Sequence, residues 1–260
     1  MSGLPRFYAD PALYDALHAD GTADEVWLLD LLARRHAPNA PKTALEPACG
    51  TGRYLAGLLR RGWTAHGYDL SAAMVDFARR RLARFGARAR VERGAMETFR
   101  PRERFGLIFN LLSTFRHLTS DRAALAHLRL MRRALAPGGV FILGLDLALY
   151  GADEPDEETW TARRGGRTLT HVMMTLPPDA RRRRERVINF VHERGRRVLE
   201  SAYDLRAYDA AQISALTRRA GLRLEACYGY DGRPARLGGP ERALWLVLAE
   251  ATGGPSRRGA

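Results

Sequence analysis

The sequence predicts an α/β fold built on a parallel sheet. From residue 43 to residue 145, short apolar strands alternate with helices, a pattern typical of parallel strands covered by helices on both faces. A glycine-rich turn at Gly50 and Gly52 joins the first strand of this alternation to its first helix. A second strand ends about twenty residues later in Asp69. Such acid-tipped strands around a glycine turn are typical of nucleoside-cofactor folds.

Two helices are predicted before the sheet. Asp10-Pro11 begins the first, because proline is tolerated in the first turn of a helix. Thr22 is expected to cap the second, which carries an apolar stripe. Pro38 and Pro41 then end the helical region.

The elements of the sheet follow in order. Strands are predicted at 43–47, 64–69, 88–92, 106–110 and 140–145, and helices at 54–61, 71–85 and 121–135. The pattern changes at residue 150, where an acidic loop at 153–158 leads into antiparallel strands at 168–176, 186–192 and 197–205. A helix at 210–220 and strands at 223–228 and 243–249 complete the fold, and residues 251–260 are predicted to be a disordered tail.

Composition limits the classes of function. The net charge is +13, but Lys42 is the only lysine among 42 basic residues, and the arginines are scattered. The dense run at 181–186, RRRRER, is expected to be a solvated loop, with an anionic substrate or RNA as the alternative. Cys49 and Cys227 lack metal-site spacing, so we expect no metal and a reducing cytoplasm. No apolar run is long enough for a membrane span, and no membrane partner is expected.

The glycine turn itself excludes two cofactor motifs. A chain that leaves a strand and enters a helix within a few residues needs unusual dihedral angles, and a ligand against that backbone leaves no room for a Cβ. Dinucleotide folds add a third glycine, whereas this chain has Leu55 there. The Gly-Lys-Ser/Thr of a phosphate-binding loop is also absent.

Three segments carry a resemblance to class I S-adenosylmethionine (SAM)-dependent methyltransferases. Residues 46–52, EPACGTG, resemble the family's first motif; residues 67–71, GYDLS, with Met74, resemble its ribose-binding segment; and residues 135–140, LAPGGV, resemble its turn before strand five. The resemblance covers roughly residues 43–145 and, more loosely, 210–249. It implies a Rossmann-like seven-stranded sheet with a reversed final strand, and SAM as cofactor with S-adenosylhomocysteine as product.

The resemblance also implies a domain organisation. Residues 1–42 would form an N-terminal helical lid, 43–150 the SAM-binding core, 151–205 an antiparallel insert that covers the substrate, and 206–250 the completion of the core. Within the family, the chain resembles the bacterial subgroup that methylates amino sugars, amines and natural products.

By the same resemblance, Asp69 would accept both ribose hydroxyls, since one carboxylate can bind two adjacent hydroxyls. The backbone of the turn would pack on the methionine part of SAM, with Glu46 near its ammonium and Arg53 near its carboxylate. The full set of expected cofactor residues is Tyr14, Glu46, Ala48, Gly50, Gly52, Arg53, Asp69, Leu70, Met74, Ala95, Met96, Glu97, Asn110 and Leu111.

One segment departs from the family's pattern. After strand three the family usually places an acidic residue near the adenine amino group, whereas this chain has Ala95. The backbone of Ala95 and Met96 would then bind the adenine edge, or Glu97 would take over. Met96 would pack on the ring or serve only in the core.

The loop at 110–118, NLLSTFRHL, follows strand four and resembles the loop of small-molecule methyltransferases. It lacks the Asn/Asp-Pro-Pro-Tyr/Phe signature of enzymes that methylate DNA bases or glutamine. His117 in this loop is the expected general base, because histidine titrates near neutral pH; a capping or core histidine is the alternative. His171 and His192 are expected to face solvent, and Trp160, Arg163 and Arg167 are placed on the substrate side.

Several functions remain open from the sequence. The first is a methyltransferase acting on an N or O nucleophile of a small molecule by in-line displacement. The others are a tRNA or rRNA methyltransferase, which the net charge favours, and a non-catalytic SAM-fold binding protein, with a dehydrogenase as a further alternative. The methyl acceptor and the oligomeric state are not determined by the sequence.

Overall fold

The computed structural model describes residues 5–164 and 166–251. Two helices, α1 (Pro11–His18) and α2 (Thr22–His36), precede the sheet. The next elements are β1 (Thr43–Pro47), α3 (Arg53–Arg60), β2 (Thr64–Asp69), α4 (Ala72–Leu82), β3 (Ala89–Arg93), β4 (Phe105–Asn110), α5 (Asp121–Ala134) and β5 (Leu135–Asp146). The remainder consists of β6 (Asp156–Arg164), β7 (Arg167–Thr175), β8 (Arg184–Glu193), β9 (Arg196–Arg206), α6 (Ala210–Arg219), β10 (Leu222–Gly229) and β11 (Ala243–Glu250).

The main sheet has seven strands in the order β10-β11-β5-β4-β1-β2-β3. The pairs among β1 to β5 are parallel, whereas β11 runs antiparallel to both β5 and β10. The predicted α/β class and the reversed final strand are therefore confirmed. The strand order reverses at β1, which lies between β4 and β2, and in such sheets ligands bind at the carboxyl ends beside this point.

Two hydrophobic cores cover the faces of this sheet. Neighbouring β1 residues point to opposite faces, so that Ala44 belongs to the core under α2, α3 and α4, and Leu45 to the core under α5 and α6. Every residue of β4 is buried, as expected for a central strand with both faces covered. The strand ends beside the glycine turn are thus held on a rigid base.

Close packing below the glycine turn is achieved without the third glycine of dinucleotide folds. Leu55 of α3 is fully buried against Gly67 of β2. A Cβ at Gly67 would lie 2.5 Å from Leu55 Cδ1, which is impossibly close. The glycine that permits close approach of helix and strand is therefore on the strand.

A second sheet of four antiparallel strands, in the order β6-β7-β8-β9, follows β5. Residues from the N-terminus and from this sheet form one apolar cluster that includes Phe7, Leu13, Leu17, Leu169 and Val191. The N-terminal helix α1 is consequently packed on the second sheet as well as near the glycine turn.

The structure corrects three local predictions. The segment at 153–158 is not wholly a loop, since β6 begins at Asp156 and the second sheet has four strands rather than three. Its acidic residues suit an edge strand, whose outer side faces water. Strand β5 begins at Leu135, ahead of the predicted turn, and Gly138 is accommodated within it at φ 73°. Gly21, and not Thr22, is the N-cap of α2.

The arginine run at 181–186 is also only partly a solvated loop. Strand β8 begins at Arg184, and Glu185 inside the run is buried against Arg116. Arg183 pairs with Asp121 at 3.0 Å. The run therefore contributes to the packing of the second sheet on the first. The predicted tail lies outside the described residues, apart from Ala251.

No helix within residues 5–164 and 166–251 combines the length and apolar character needed to cross a membrane.

Candidate active site

The glycine turn is bound to the end of β2 through Asp69. Its Oδ2 accepts a hydrogen bond from the Gly50 amide at 2.9 Å, and its Oδ1 accepts from the Ser71 amide at 2.8 Å. Gly50 and Gly52 both have left-handed backbone conformations, at φ 52° and 69°, which favour glycine. Burial raises the pKa of Asp69, and the backbone amides of Ser71, Gly50 and Leu70 act in the opposite direction. The carboxylate, which has about four acceptor positions, keeps room for a further donor.

Two buried acceptors without partners lie beside this turn. Glu46 is 5 % exposed, and its Oε2 has no hydrogen-bond partner among the described residues. Asn110 donates from Nδ2 to the Pro47 carbonyl at 2.9 Å, whereas its Oδ1 has no partner in the same part of the chain. Burial raises the pKa of Glu46, although Arg53 opposes this. Both residues line a narrow cleft of about 30 Å³, together with Ala48, Gly50, Leu111 and Tyr14.

Helix α1 covers the turn. The Cε1 atom of Tyr14 lies 3.8 Å from the position that a Cβ on Gly50 would take, and the Tyr14 ring stacks on His18 with centroids 4.3 Å apart. Asp15 anchors the helix, because it accepts from Thr51 Oγ1 at 2.7 Å and pairs with Arg81 at 2.6 Å. The predicted cofactor residue Tyr14 is therefore brought to the same place as the turn.

Arg53, at the start of α3, is held by neighbouring side chains. Its Nη1 donates to Thr22 Oγ1 at 2.5 Å and to Glu25 at 3.4 Å, and its Nη2 donates to the Tyr54 hydroxyl at 2.7 Å. It is 9 % exposed and lines the cleft. These bonds connect α3 to α2.

The residues predicted for the adenine side lie farther along the sheet edge. Leu70 is exposed, Met74 is buried, and Glu97 is exposed. The Ala95 carbonyl accepts from the Phe99 amide at 2.9 Å, and the Met96 carbonyl bonds to His127 Nδ1 at 3.0 Å. None of these residues lines the cleft at Gly50 or the large cavity described below.

The loop after β4 has a strained backbone. Leu112 and Ser113 both adopt left-handed conformations, at φ 53° and 57°, which are costly for residues other than glycine and concentrate at functional sites. Ser113 Oγ donates to Asp146 Oδ2 at 2.8 Å and accepts from the Asp146 amide at 2.8 Å. The loop is thereby fixed to the carboxyl end of β5.

His117 is connected to the N-terminal segment. Its Nε2 lies 2.9 Å from the Tyr8 hydroxyl, which in turn lies 3.3 Å from the Tyr203 hydroxyl of β9. Burial, with a contribution from Arg116, lowers the pKa of His117 to about 4. The imidazole is therefore neutral at physiological pH and can accept a hydrogen bond.

The prediction that His171 faces solvent is wrong. The side chain is 1 % exposed, its Nε2 lies 2.9 Å from Asn189 Oδ1, and burial lowers its pKa to about 4. Because residues alternate along β7, His171 shares the face of Leu169, which the N-terminal segment covers. His192 is half-buried.

Of the three residues placed on the substrate side, one faces a cavity. Trp160 lines the large cavity, lies 4.2 Å from the His171 ring, and donates from Nε1 to the Leu17 carbonyl at 2.9 Å. Arg163 is exposed, and Arg167 pairs with Glu193 at 2.8 Å on the surface. Neither arginine lines this cavity.

The large cavity has a volume of about 1090 Å³ and adjoins the cleft at the glycine turn. Its walls come from the N-terminal residues through α2, the second sheet, the loop after β4, the end of β5 and the segment between β10 and β11. They include Tyr8, Tyr14, His18, Leu112, Thr114, Asp146, Trp160, His171, Asn189 and Tyr203. Sequence reasoning missed His18, Asp146, Asn189 and Tyr203. The period-two alternation of β8 and β9 offered a signal for Asn189 and Tyr203 only.

Comparisons with known proteins agree with this arrangement. A family model described as a methyltransferase domain matches residues 44–139. The chain is 34% identical over 134 residues to a dTDP-3-amino-3,6-dideoxy-alpha-D-glucopyranose N,N-dimethyltransferase of Streptomyces fradiae, an alignment that spans 50% of this chain and 51% of that relative. It is 26% identical over 205 residues to a dTDP-3-amino-3,4,6-trideoxy-alpha-D-glucopyranose N,N-dimethyltransferase of Streptomyces venezuelae, covering 76% of this chain and 82% of the relative.

The crystal structure of Streptomyces venezuelae DesVI superposes with a TM-score of 0.73 at 25% identity, over 92% of this chain and 96% of that one. The matched domain contains the glycine turn, Asp69 and the loop after β4, which are the parts that the fold brings together. Residues 44–139 therefore form a methyltransferase domain, and the chain has the fold of class I S-adenosylmethionine-dependent methyltransferases.

Proposed function

We propose that this protein transfers methyl groups from SAM to an amino nitrogen of a small sugar-containing molecule. One observation carries the proposal: a cavity large enough for such an acceptor adjoins the glycine turn and is covered by the N-terminal segment and the second sheet. Two relatives that methylate amino groups of sugars support the choice of nitrogen and of a sugar. Enclosure matters because methyl transfer depends on alignment and on exclusion of water.

The residues around the turn fit SAM. The unpaired buried oxygens of Glu46 and Asn110 are acceptors that suit the ammonium of the methionine part. Asp69, whose carboxylate keeps room for a further donor, would accept a hydrogen bond from the ribose hydroxyls. Gly50 and Gly52 would allow close approach of the ligand to the backbone. SAM, when bound, supplies a methyl group on a positively charged sulfur.

His117 is proposed to assist proton removal through Tyr8. An amine must be neutral to attack, and the methylated product must lose a proton. The Tyr8 hydroxyl lines the cavity and lies 2.9 Å from His117 Nε2, so a proton leaving the acceptor would pass by way of Tyr8. The pKa of His117, lowered to about 4, lies below the near-neutral value expected from the sequence, so the imidazole is a weak base that would orient the Tyr8 hydroxyl rather than hold the proton itself.

A matched pair of acceptors tests the proposal. The purified protein is incubated with SAM and either methyl 3-amino-3-deoxyglucopyranoside or the corresponding 3-hydroxy glycoside, and the products are analysed by mass spectrometry. We expect one or two methyl groups on the amino glycoside, one S-adenosylhomocysteine released for each, and no product from the hydroxy glycoside. Methylation of the hydroxyl alone, or none of any sugar amine by protein that binds SAM, would contradict the proposal.

A further inference from the structure

The large cavity has a charge opposite to that of the whole chain. The chain carries a net charge of +13, yet its cavity is lined by six carboxylates and two arginines. The six are Asp20, Asp24, Glu25, Asp146, Glu158 and Asp231, and the arginines are Arg53 and Arg233. Burial keeps the two cavity histidines, His18 and His171, neutral at pH 7 by lowering the pKa of each to about 4.

Both arginines of the cavity already have acidic partners. Arg53 pairs with Glu25 at 3.4 Å and also donates to two hydroxyl groups, and Arg233 pairs with Asp231 at 3.5 Å. Within residues 5–164 and 166–251, the cavity wall therefore contains no arginine or lysine free of a carboxylate partner. A phosphate group in the cavity would have no uncompensated cation to bind.

Two carboxylates of the cavity wall, in contrast, have no arginine or lysine partner among the described residues. Asp146 is held at the end of β5 by Ser113 and accepts from the Tyr230 hydroxyl; Arg116 donates to its main-chain carbonyl at 3.2 Å, but no arginine or lysine pairs with its carboxylate among the described residues. Glu158 on β6 is exposed and has no cationic partner there either. Desolvation by its surroundings and the nearby charges of Asp146 and Asp156 raise the pKa of Glu158.

A third polar group of the cavity wall lacks a partner. His171 is 1 % exposed, and its Nδ1 makes no hydrogen bond to any described residue. The wall thus combines two carboxylates that lack an arginine or lysine partner with a buried histidine whose Nδ1 is unpartnered but closed to solvent in this structure. This combination suits a ligand with ammonium and hydroxyl groups, and it disfavours an anionic one.

We propose that the methyl acceptor is an amino glycoside without a phosphate group, that its ammonium form binds at Asp146 and Glu158, and that the nitrogen loses its proton before it attacks the methyl group. This inference rests on the proposed function and narrows its substrate class. It separates this chain from its two named relatives, whose acceptors carry a dTDP group. The two negative charges of a diphosphate would lie among carboxylates, whereas the ammonium form of the acceptor would be stabilised by them.

The test compares one amino sugar in two forms, methyl 3-amino-3-deoxyglucopyranoside and its thymidine-diphosphate-linked counterpart. Initial rates of S-adenosylhomocysteine release give KM for each. We expect KM to be at least about tenfold lower for the methyl glycoside, with the difference shrinking as salt is added, because salt screens charge repulsion. A lower KM for the nucleotide-linked sugar would overturn the inference and leave the proposed function intact; transfer to neither form would contradict the proposed function itself.

Substitutions of the two carboxylates test whether Asp146 and Glu158 cause the difference in KM. Glu158→Gln and Asp146→Asn are each expected to raise KM for the methyl glycoside about tenfold while leaving KM for the nucleotide-linked sugar unchanged or lower. Glu200→Gln is the matched control, because Glu200 is an exposed glutamate of the same sheet that lies outside the cavity and pairs with Arg197. Equal effects of Glu158→Gln and Glu200→Gln would also overturn the inference.

Discussion

Asp69 connects two strand ends through the amides of Gly50 and Ser71, and it is the residue on which we expect SAM binding to depend most. Replacing it with asparagine removes the negative charge and one acceptor with little change of shape. We predict an affinity for SAM about 100-fold lower, since hydrogen bonds to a charged group contribute roughly 1.5–3 kcal/mol each. Isothermal titration calorimetry with SAM measures this.

The control for Asp69→Asn is Asp76→Asn, which makes the same charge change at an exposed position of α4. It should leave the affinity unchanged. Equal affinities of the Asp69→Asn variant and the unaltered protein would remove Asp69 from the cofactor site.

His117 should affect catalysis and not cofactor binding. His117→Ala removes the partner of Tyr8, and we predict that kcat falls by about 10²-fold, the lower end for loss of a general base, while the affinity for SAM stays the same. Tyr8→Phe should give a similar loss of kcat, since it interrupts the same hydrogen bond. A normal kcat in both variants would show that His117 is only structural.

The sequence predicted some site residues and missed others for a simple reason. Gly50, Gly52 and Asp69 are close in the chain and follow recognisable strand ends, so their meeting could be expected. His117 was predicted as the general base, but its meeting with Tyr8 and Tyr203 was not, because the three residues come from distant segments that only the packing of the second sheet on the N-terminal segment brings together.

At the scale of elements, the second sheet and the loop after β4 are joined by a buried ion pair. Arg116 pairs with Glu185 of β8, and it also donates to the carbonyls of Arg206 at 2.9 Å and Asp146 at 3.2 Å. This single side chain therefore links the sheet that covers the cavity to the loop that carries His117. Arg116 is a positioning residue in this account.

Glu185→Gln tests that link. Breaking a buried pair leaves Arg116 uncompensated, and we predict a loss of about 3 kcal/mol in the free energy of unfolding. The kcat should also fall while the affinity for SAM is kept, because the loop moves relative to the turn. Glu200→Gln breaks an exposed pair and should cost less than about 1 kcal/mol. Equal unfolding curves for both variants would contradict the prediction.

The elements were predicted best where the pattern was regular. Strand β1 and the strands after it were recognisable as apolar runs between helices, and β1 has the predicted bounds. Strand β6 was missed because its first residues are acidic, and charged residues are uncommon in strands except at edges. Strand β6 lies at the edge of the second sheet because it pairs only with β7, and the sequence of β6 alone does not reveal this position.

At the scale of the whole molecule, buried neutral histidines make stability depend on pH. Burial lowers the pKa of His18, His117, His127 and His171 to about 4, below the ordinary value of 6.5. Between these values the unfolded chain binds more protons than the folded one. The free energy of unfolding should therefore fall as the pH is lowered from 6.5 towards 4.

The variant His127→Gln tests the contribution of one of these histidines, which does not line the cavity, to the pH dependence of stability. His127 is fully buried and bonds to the Met96 carbonyl. We predict that the variant loses up to about 3 kcal/mol of the pH dependence between pH 4 and 6.5, as measured by urea unfolding. Parallel stability curves of the variant and the unaltered protein would contradict this assignment.

The central claim is that the glycine turn and the large cavity form one site for methyl transfer. It is tested most directly by a crystal structure with S-adenosylhomocysteine and methyl 3-amino-3-deoxyglucopyranoside. We predict that the ribose hydroxyls bond to Asp69, that the sulfur faces the cavity, and that the amine lies in the cavity in line with the sulfur. Cofactor bound away from Gly50 and Asp69, or a sugar held outside the cavity, would contradict the account.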